Sequence, residues 1–169
     1  MDTLEAIKAR RSVRSYDSRP VPEDVLATVL EAGRIAPSAN NYQPWHFIVV
    51  TDPAKRKGLS EGRWAGFLTE SPVVIVGCGN KKKSPEWFAV DTTIALQTMV
   101  LAATNEGLGT CWIGSFYPDR VAKLLNVPDD FEVVAMLALG YPKDEKDLEP
   151  RPVGRRRKPS EDMISYEQF

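Results

Sequence analysis

The sequence predicts a single domain built in three layers (α/β/α). Three observations carry this. The chain has 169 residues, enough to bury one core and too few for two. Four runs of β-branched and other apolar residues read as strands. Segments with apolar residues at helical spacing separate them. The connections fix neither the order nor the direction of the strands.

Residues 4–10 predict a short amphipathic helix, with Leu4, Ile7 and Lys8 on different faces. Pro22-Glu23-Asp24 opens the second helix, with proline at its start and acids in its first turn. Val25, Leu26, Val29, Leu30 and Gly33 repeat along it, and it stops before Pro37. A turn-rich stretch follows, Pro37-Ser38-Ala39-Asn40-Asn41-Tyr42-Gln43-Pro44-Trp45-His46-Phe47. It gathers hydroxyl, amide and proline residues, which suits both a ligand site and a plain helix-to-strand turn. Residues 46–50 read as the first strand, and Asp52-Pro53 starts a short helix ending at Leu59. Residues 60–70, with Gly62, Trp64, Gly66 and Phe67, suggest a mobile, partly apolar segment.

Val73-Val74-Ile75-Val76-Gly77-Cys78 is a continuous run that reads as a central strand covered on both faces. Lys81-Lys82-Lys83 marks a solvated loop tip. Residues 88–106 form the longest helix, with Ala89, Leu96, Met99, Val100 and Ala103 as its apolar stripe and Gly107 as its C-cap. Asp91 near its start suits the helix dipole. Residues 109–114 make a short strand, 119–125 a helix with Asn126 as its cap, and 131–139 a long strand ending at Gly140. From Tyr141 the pattern changes to prolines and charges, with no periodicity of its own. Residues 1–140 therefore read as the core, and residues 141–169 as an extended arm. Met163, Ile164, Tyr166 and Phe169 end that arm with apolar groups that need a surface, and a second subunit offers one.

Composition narrows the function. The net charge of -1 gives no general attraction to nucleic acid or an anionic membrane. No apolar run is long enough for a bilayer, and the acidic N-terminus lacks a signal-type apolar segment, so the cytoplasm is expected. Cys78 and Cys111 lie in separate apolar runs and read as buried free thiols. The single histidine, His46, excludes a multi-histidine metal site. It is expected as a partly buried, hydrogen-bonded side chain at a strand start. Neither G-x-G-x-x-G nor a P-loop pattern is present. There is no nucleophile elbow and no carboxylate pair at catalytic spacing. What stands out is arginine: Arg10-Arg11-Ser12-Val13-Arg14 near one end and Arg155-Arg156-Arg157-Lys158 near the other. Such clusters are either solvated basic ends or clamps for a phosphate. Two readings stay open: a bound cofactor with a phosphate and a polar ring edge, or an anion-binding module.

Four segments, in order, resemble the FMN-dependent nitroreductase family over nearly the whole chain. They are Arg10-Arg11-Ser12-Val13-Arg14, the stretch from Pro37 to Phe47, Gly107-Leu108-Gly109 leading to Trp112-Ile113-Gly114, and Arg155-Arg156-Arg157-Lys158-Pro159. The resemblance implies an α+β fold with a mostly antiparallel mixed sheet and a homodimer with FMN at its interface. Arg10, Ser12, Arg155 and Arg157 match positions that bind the FMN phosphate and ribityl chain, and Arg11 a position on the phosphate side. Arg14 matches a basic residue at the pyrimidine edge, where a cation favours the reduced anionic flavin. Pro37, Ser38, Ala39 and Asn41 match a loop that lies against the flavin of the other subunit. Gln43 matches a position at the ring edge or a support of that loop. Ile113 and Gly114 match the backbone beside flavin N5, although many relatives carry an acidic residue in place of Ile113. The implied activity is ping-pong hydride transfer from NAD(P)H through flavin N5 to a small organic acceptor such as a nitroaromatic or quinone. No side chain acts as acid or base, and no metal is needed. The alternatives are other flavin chemistry, such as flavin cleavage or reductive dehalogenation, or a non-enzymatic flavin-binding protein. The resemblance leaves the natural acceptor and the choice between NADH and NADPH open.

Overall fold

The computed structural model describes residues 1–149 and 157–169. Among these residues there are five α-helices: α1 (Thr3–Ala9), α2 (Glu23–Arg34), α3 (Pro53–Leu59), α4 (Phe88–Asn105) and α5 (Pro118–Leu125). Four strands form one sheet: β1 (Trp45–Val50), β2 (Val73–Asn80), β3 (Gly109–Ile113) and β4 (Phe131–Gly140). Their order is β1-β2-β4-β3, and every neighbouring pair runs antiparallel. Among the described residues the one parallel pairing is an isolated bridge between Ser12 and Thr110, on the outer edge of β3.

Alternation along the two central strands separates two cores. Val74, Val76 and Cys78 of β2, with Met136 and Ala138 of β4, face Val121 of α5, Leu59 of α3 and the short 3-10 turn Gly66–Thr69. Val73 and Ile75, with Ala135, Leu137 and Leu139, face α2 and α4. Both faces of β2 are thus covered, as its unbroken apolar run predicts, although its neighbours are antiparallel. A bulge at Gly77/Cys78 shifts the register against β4.

The local signals explain the element ends. In α1, Asp2 Oδ1 accepts from the Glu5 N–H at 2.8 Å, and Glu5 Oε2 accepts from the Asp2 N–H at 2.9 Å, a capping box. Asp52 accepts from the Lys55 N–H at the start of α3. Asn126 ends α5 in the left-handed region at φ 54, as expected for its cap. Three details differ from expectation. In α1 the small residues Ala6 and Ala9 are buried, while Leu4 and Ile7 are exposed, because the helix approaches α4 closely through its alanine face. His46 is exposed, and its ring meets the edge of Phe131 at 6.0 Å instead of taking a hydrogen-bonded place in the interior. Residues 60–70 are pinned by Ala65 and Leu68, both fully buried, and of the segment's large apolar side chains Trp64 stands out at 70% exposure.

The core also extends past residue 140. Tyr16 bridges Pro142, the Asp17 N–H donates to Tyr141 O, and the Lys143 N–H donates to Ser15 O. Among the described residues no helix is long and apolar enough to cross a membrane. Among the described residues no cluster of metal-ligating side chains occurs. Both cysteines are buried free thiols.

Candidate functional site

The two polar segments named by the sequence are held in different ways. The first leaves α1 at Arg10 and becomes extended. Extended backbone alternates its side chains, so Val13 turns into the core at 2% exposure while Ser12 and Arg14 turn outward. The Val13 N–H donates to Thr110 O at 2.9 Å, and the Tyr16 hydroxyl donates to Val13 O at 2.7 Å. The approach to β3 is close enough to require glycine there. A Cβ on Gly109 would stand 2.7 Å from Val13 Cγ2. Arg10 and Arg11 are half-buried beside this mooring, and Ser12 and Arg14 are exposed. Arg10 and Arg14 form no ion pair among the described residues.

The chemistry under this segment is shaped by burial. Burial pushes the Cys111 thiol up, while the Arg14 charge and a hydrogen bond from Ser12 pull it partly back. Burial also pushes the Tyr16 phenol far up, helped by Cys111 and opposed by Arg14. Arg14, in no ion pair among the described residues, is close enough for its charge to be felt by these two buried groups.

The second segment, residues 37–43, is a compact turn. The Asn41 N–H donates to Ser38 O, the Tyr42 N–H to Ala39 O, and the Gln43 N–H to Ser38 Oγ at 2.9 Å. Gln43 Nε2 donates to Asn41 Oδ1 at 3.0 Å and to its carbonyl at 3.2 Å. Asn40, Asn41 and Gln43 have φ values of 47, 56 and 47. Asparagine accepts that region readily and glutamine less so, which makes the turn a strained one. Pro37, Asn40, Asn41 and Gln43 are exposed, and Ser38 and Ala39 are half-buried. The Ala39 N–H donates to Asp91 Oδ1 at 3.1 Å, and Asn80 donates its N–H to Pro44 O.

Within one chain these segments do not meet. Ser12 stands opposite Thr110, on the level of Leu139 and Val73. The 37–43 turn enters β1 at Trp45, on the level of Gly79 and Glu132. They occupy diagonal corners of the sheet, on the order of 25 Å apart from strand spacing and rise. The third pair lies with the first. Ile113 ends β3 and Gly114 follows it, beyond Cys111, whose thiol feels the Arg14 charge. The Ile113 side chain is buried in the α5-side core at 4% exposure, so what this position offers outward is backbone. Gly114 is exposed, and a Cβ there would meet nothing within 4 Å. Residues 60–66 frame this end. A Cβ on Gly62 would collide with Ser115 O, and Glu61 pairs with Arg120 at 3.4 Å. Arg155 lies outside the described residues, and Arg157 is described and exposed.

Two residues that position these segments were not read as doing so from sequence. Tyr16 carried no signal. Asp91 did carry one, since it is a lone acid in the most apolar helix of the chain, where charge is rarely buried without a task. A phosphate-bearing planar cofactor fits the donors present: Arg10 and Arg14, in no ion pair among the described residues, the Ser12 hydroxyl beside them, and open backbone at Gly114. FMN belongs to that chemical class.

Comparison with known proteins gives the same direction. The profile described as the Nitroreductase family matches residues 7–73 and 60–141. A protein of Archaeoglobus fulgidus, whose name pairs NADH dehydrogenase with NAD(P)H nitroreductase, is 37% identical over 155 residues. That alignment covers 87% of this chain and 89% of the relative. A Bacillus subtilis protein named FMN reductase [NAD(P)H] is 30% identical over 175 residues, covering 89% of this chain and 70% of the relative. An FMN-dependent nitroreductase structure from Clostridium difficile superposes with a TM-score of 0.86 at 28% identity, covering 98% of this chain and 99% of that one. With the profile spanning most of the core and the relative from Archaeoglobus fulgidus aligned over 87% of the chain, this chain belongs to the nitroreductase family.

Proposed function

We propose that the protein is an FMN-dependent NAD(P)H oxidoreductase acting on a small organic acceptor, as a homodimer in the cytoplasm. The observation that carries this reading is the separation of two polar half-sites to diagonal corners of the sheet, one of them holding Arg10 and Arg14, which form no ion pair among the described residues. Neither half is a site alone. A second copy of the chain would supply the missing half to each.

Support for the second copy comes from apolar groups left in the open. Trp87, Val90 and Ile94 expose one side of the α4 N-terminal half, and Leu4 and Ile7 expose the face of α1 that turns away from it. Met163, Ile164, Tyr166 and Phe169 of the arm are also exposed, as expected for a segment that packs on a partner.

When bound, FMN would take a hydride from NAD(P)H and deliver it to the acceptor in a ping-pong cycle. The chain's own residues do the rest. Arg10, Arg11 and Ser12, with Arg155 and Arg157 of the arm, hold the phosphate and ribityl end. Each charge-assisted hydrogen bond there contributes about 1.5–3 kcal/mol. Arg14 places a positive charge at the ring edge. Ile113 and Gly114 offer backbone, and the burial of the Ile113 side chain means that replacing an acidic residue here leaves that backbone role intact. Pro37, Ser38, Ala39, Asn41 and Gln43 form the opposite wall from the partner chain. No side chain of the site is required as general acid or base, and positioning and exclusion of water are the protein's contribution.

The test is direct. Purified protein should carry or take up flavin, absorb accordingly, and bleach on adding NADH or NADPH in single-turnover stopped flow. A panel of nitroaromatic and quinone acceptors should then restore the absorbance. A colourless protein that cannot take up FMN would overturn the proposal.

A further inference from the structure

The loop 37–43 is shaped by its own hydrogen bonds, but those bonds do not say where it stands. The donations to Ser38 O, Ala39 O, Ser38 Oγ and Asn41 all begin and end within residues 38–43. They fix a compact turn that would keep its form wherever it was carried. Among the described residues two polar ties attach it to the body. One is the Asn80 N–H on Pro44 O, at the strand end of the loop. The other is the Ala39 N–H on Asp91 Oδ1, in its middle.

Asp91 is unusual in what it does not do. It sits in the first turn of α4, whose N-cap residue is Trp87 and whose start has no side-chain cap. The residue is 2% exposed, and its carboxylate reaches across to a residue 52 positions earlier. Its second oxygen, Oδ2, is buried with no hydrogen-bond partner, as are Ser84 Oγ and Thr92 Oγ1 around the same helix start. Burying a carboxylate with a single bond is costly unless that bond has a use. The use on hand is the placement of a strained turn, with three residues at positive φ that persist only where their surroundings hold them.

We infer that Asp91 is a positioning residue for the cofactor site: its buried carboxylate holds the Ala39 N–H and thereby sets the 37–43 wall against the flavin. This deepens the oxidoreductase reading and rests on it for the identity of the ligand. The acceptor oxygen carries the role, so Asp91→Asn retains most of it and Asp91→Ala loses it.

The experiment uses the full-length protein, stripped of flavin and titrated with FMN by fluorescence quenching, with amide hydrogen exchange followed at Ala39. In the wild type without flavin, the Ala39 amide should already be protected. Asp91→Ala should speed its exchange and weaken FMN binding by roughly ten-fold or more. Asp91→Asn should restore both to within a few-fold while melting near the wild-type temperature. An unprotected Ala39 amide in the wild type overturns the inference, even if Asp91→Ala fails to fold. So does an Asp91→Ala protein that binds FMN within about twofold of wild type, or an asparagine variant no better than the alanine one. A wild-type protein that takes up no FMN sinks the oxidoreductase reading instead, and the exchange measurement then still decides whether Asp91 anchors the loop.

Discussion

The arginine segment and the 37–43 turn are both polar, both outside regular secondary structure, and anchored by opposite means. Residues 10–16 are moored by packing: Val13 is in the core, Tyr16 is buried beneath it, and β3 lends an edge to bond with. Residues 37–43 are moored by polar bonds, with few buried side chains and three strained backbone positions. The difference teaches how one short chain can present two halves of a site. One half inherits rigidity from the core. The other must build its own, and depends on single hydrogen bonds to do so.

The comparison would be broken most clearly by complementation. Asn41→Val strains a left-handed position with a β-branched side chain, and Arg10→Ala removes a phosphate donor. Each homodimer should lose tight FMN binding, whereas mixed dimers of the two should regain one intact site. Flavin stoichiometry in unmixed and mixed samples checks this, and no recovery on mixing would mean the halves do not come from different chains.

Within the arginine segment, Arg10→Ala should weaken FMN by about 1.5–3 kcal/mol, the range for a charge-assisted bond. Arg14→Ala should slow flavin reduction by NAD(P)H more than it weakens FMN. An unchanged reduction rate in stopped flow would remove Arg14 from its assigned role.

Gly109→Ala sharpens the contrast in mooring. Its Cβ meets Val13 at three atoms, and overpacking of this kind costs about 1–3 kcal/mol. Urea denaturation should show that loss, with FMN binding falling alongside. Ser38→Ala should do the reverse in emphasis. It removes the acceptor for the Gln43 N–H, costs about 0.5–1.5 kcal/mol, and should appear more in FMN affinity than in the melting temperature.

The smallest expected effect is alkaline. The Tyr16 phenol and the Cys111 thiol, both under the arginine segment, are pushed up by burial, and Cys78 is pushed up to about 11. In each case the folded protein holds its proton more tightly than the unfolded chain. Stability is therefore level below the ordinary thiol range and declines as pH rises through it, toward about 11 for Cys78. Melting curves from pH 8 upward should show the decline, and Cys111→Ala should reduce it.

Much of this protein was determined locally. Proline and acids opened α2, Asn126 closed α5, and an unbroken apolar run made β2 central, because caps, turns and side-chain periodicity act over a few residues. The motifs that resemble the nitroreductase family were also plain in the chain. Other features depended on distant neighbours. The exposure of Leu4 and Ile7 follows from how closely α1 approaches α4, and the fate of His46 from where Phe131 arrives. The burial of the Ile113 side chain follows from its register opposite Met136. Only the tertiary structure put the two polar segments at diagonal corners of the sheet and brought Asp91 to Ala39, because strand order and contacts across dozens of residues are set by the packing of the whole core.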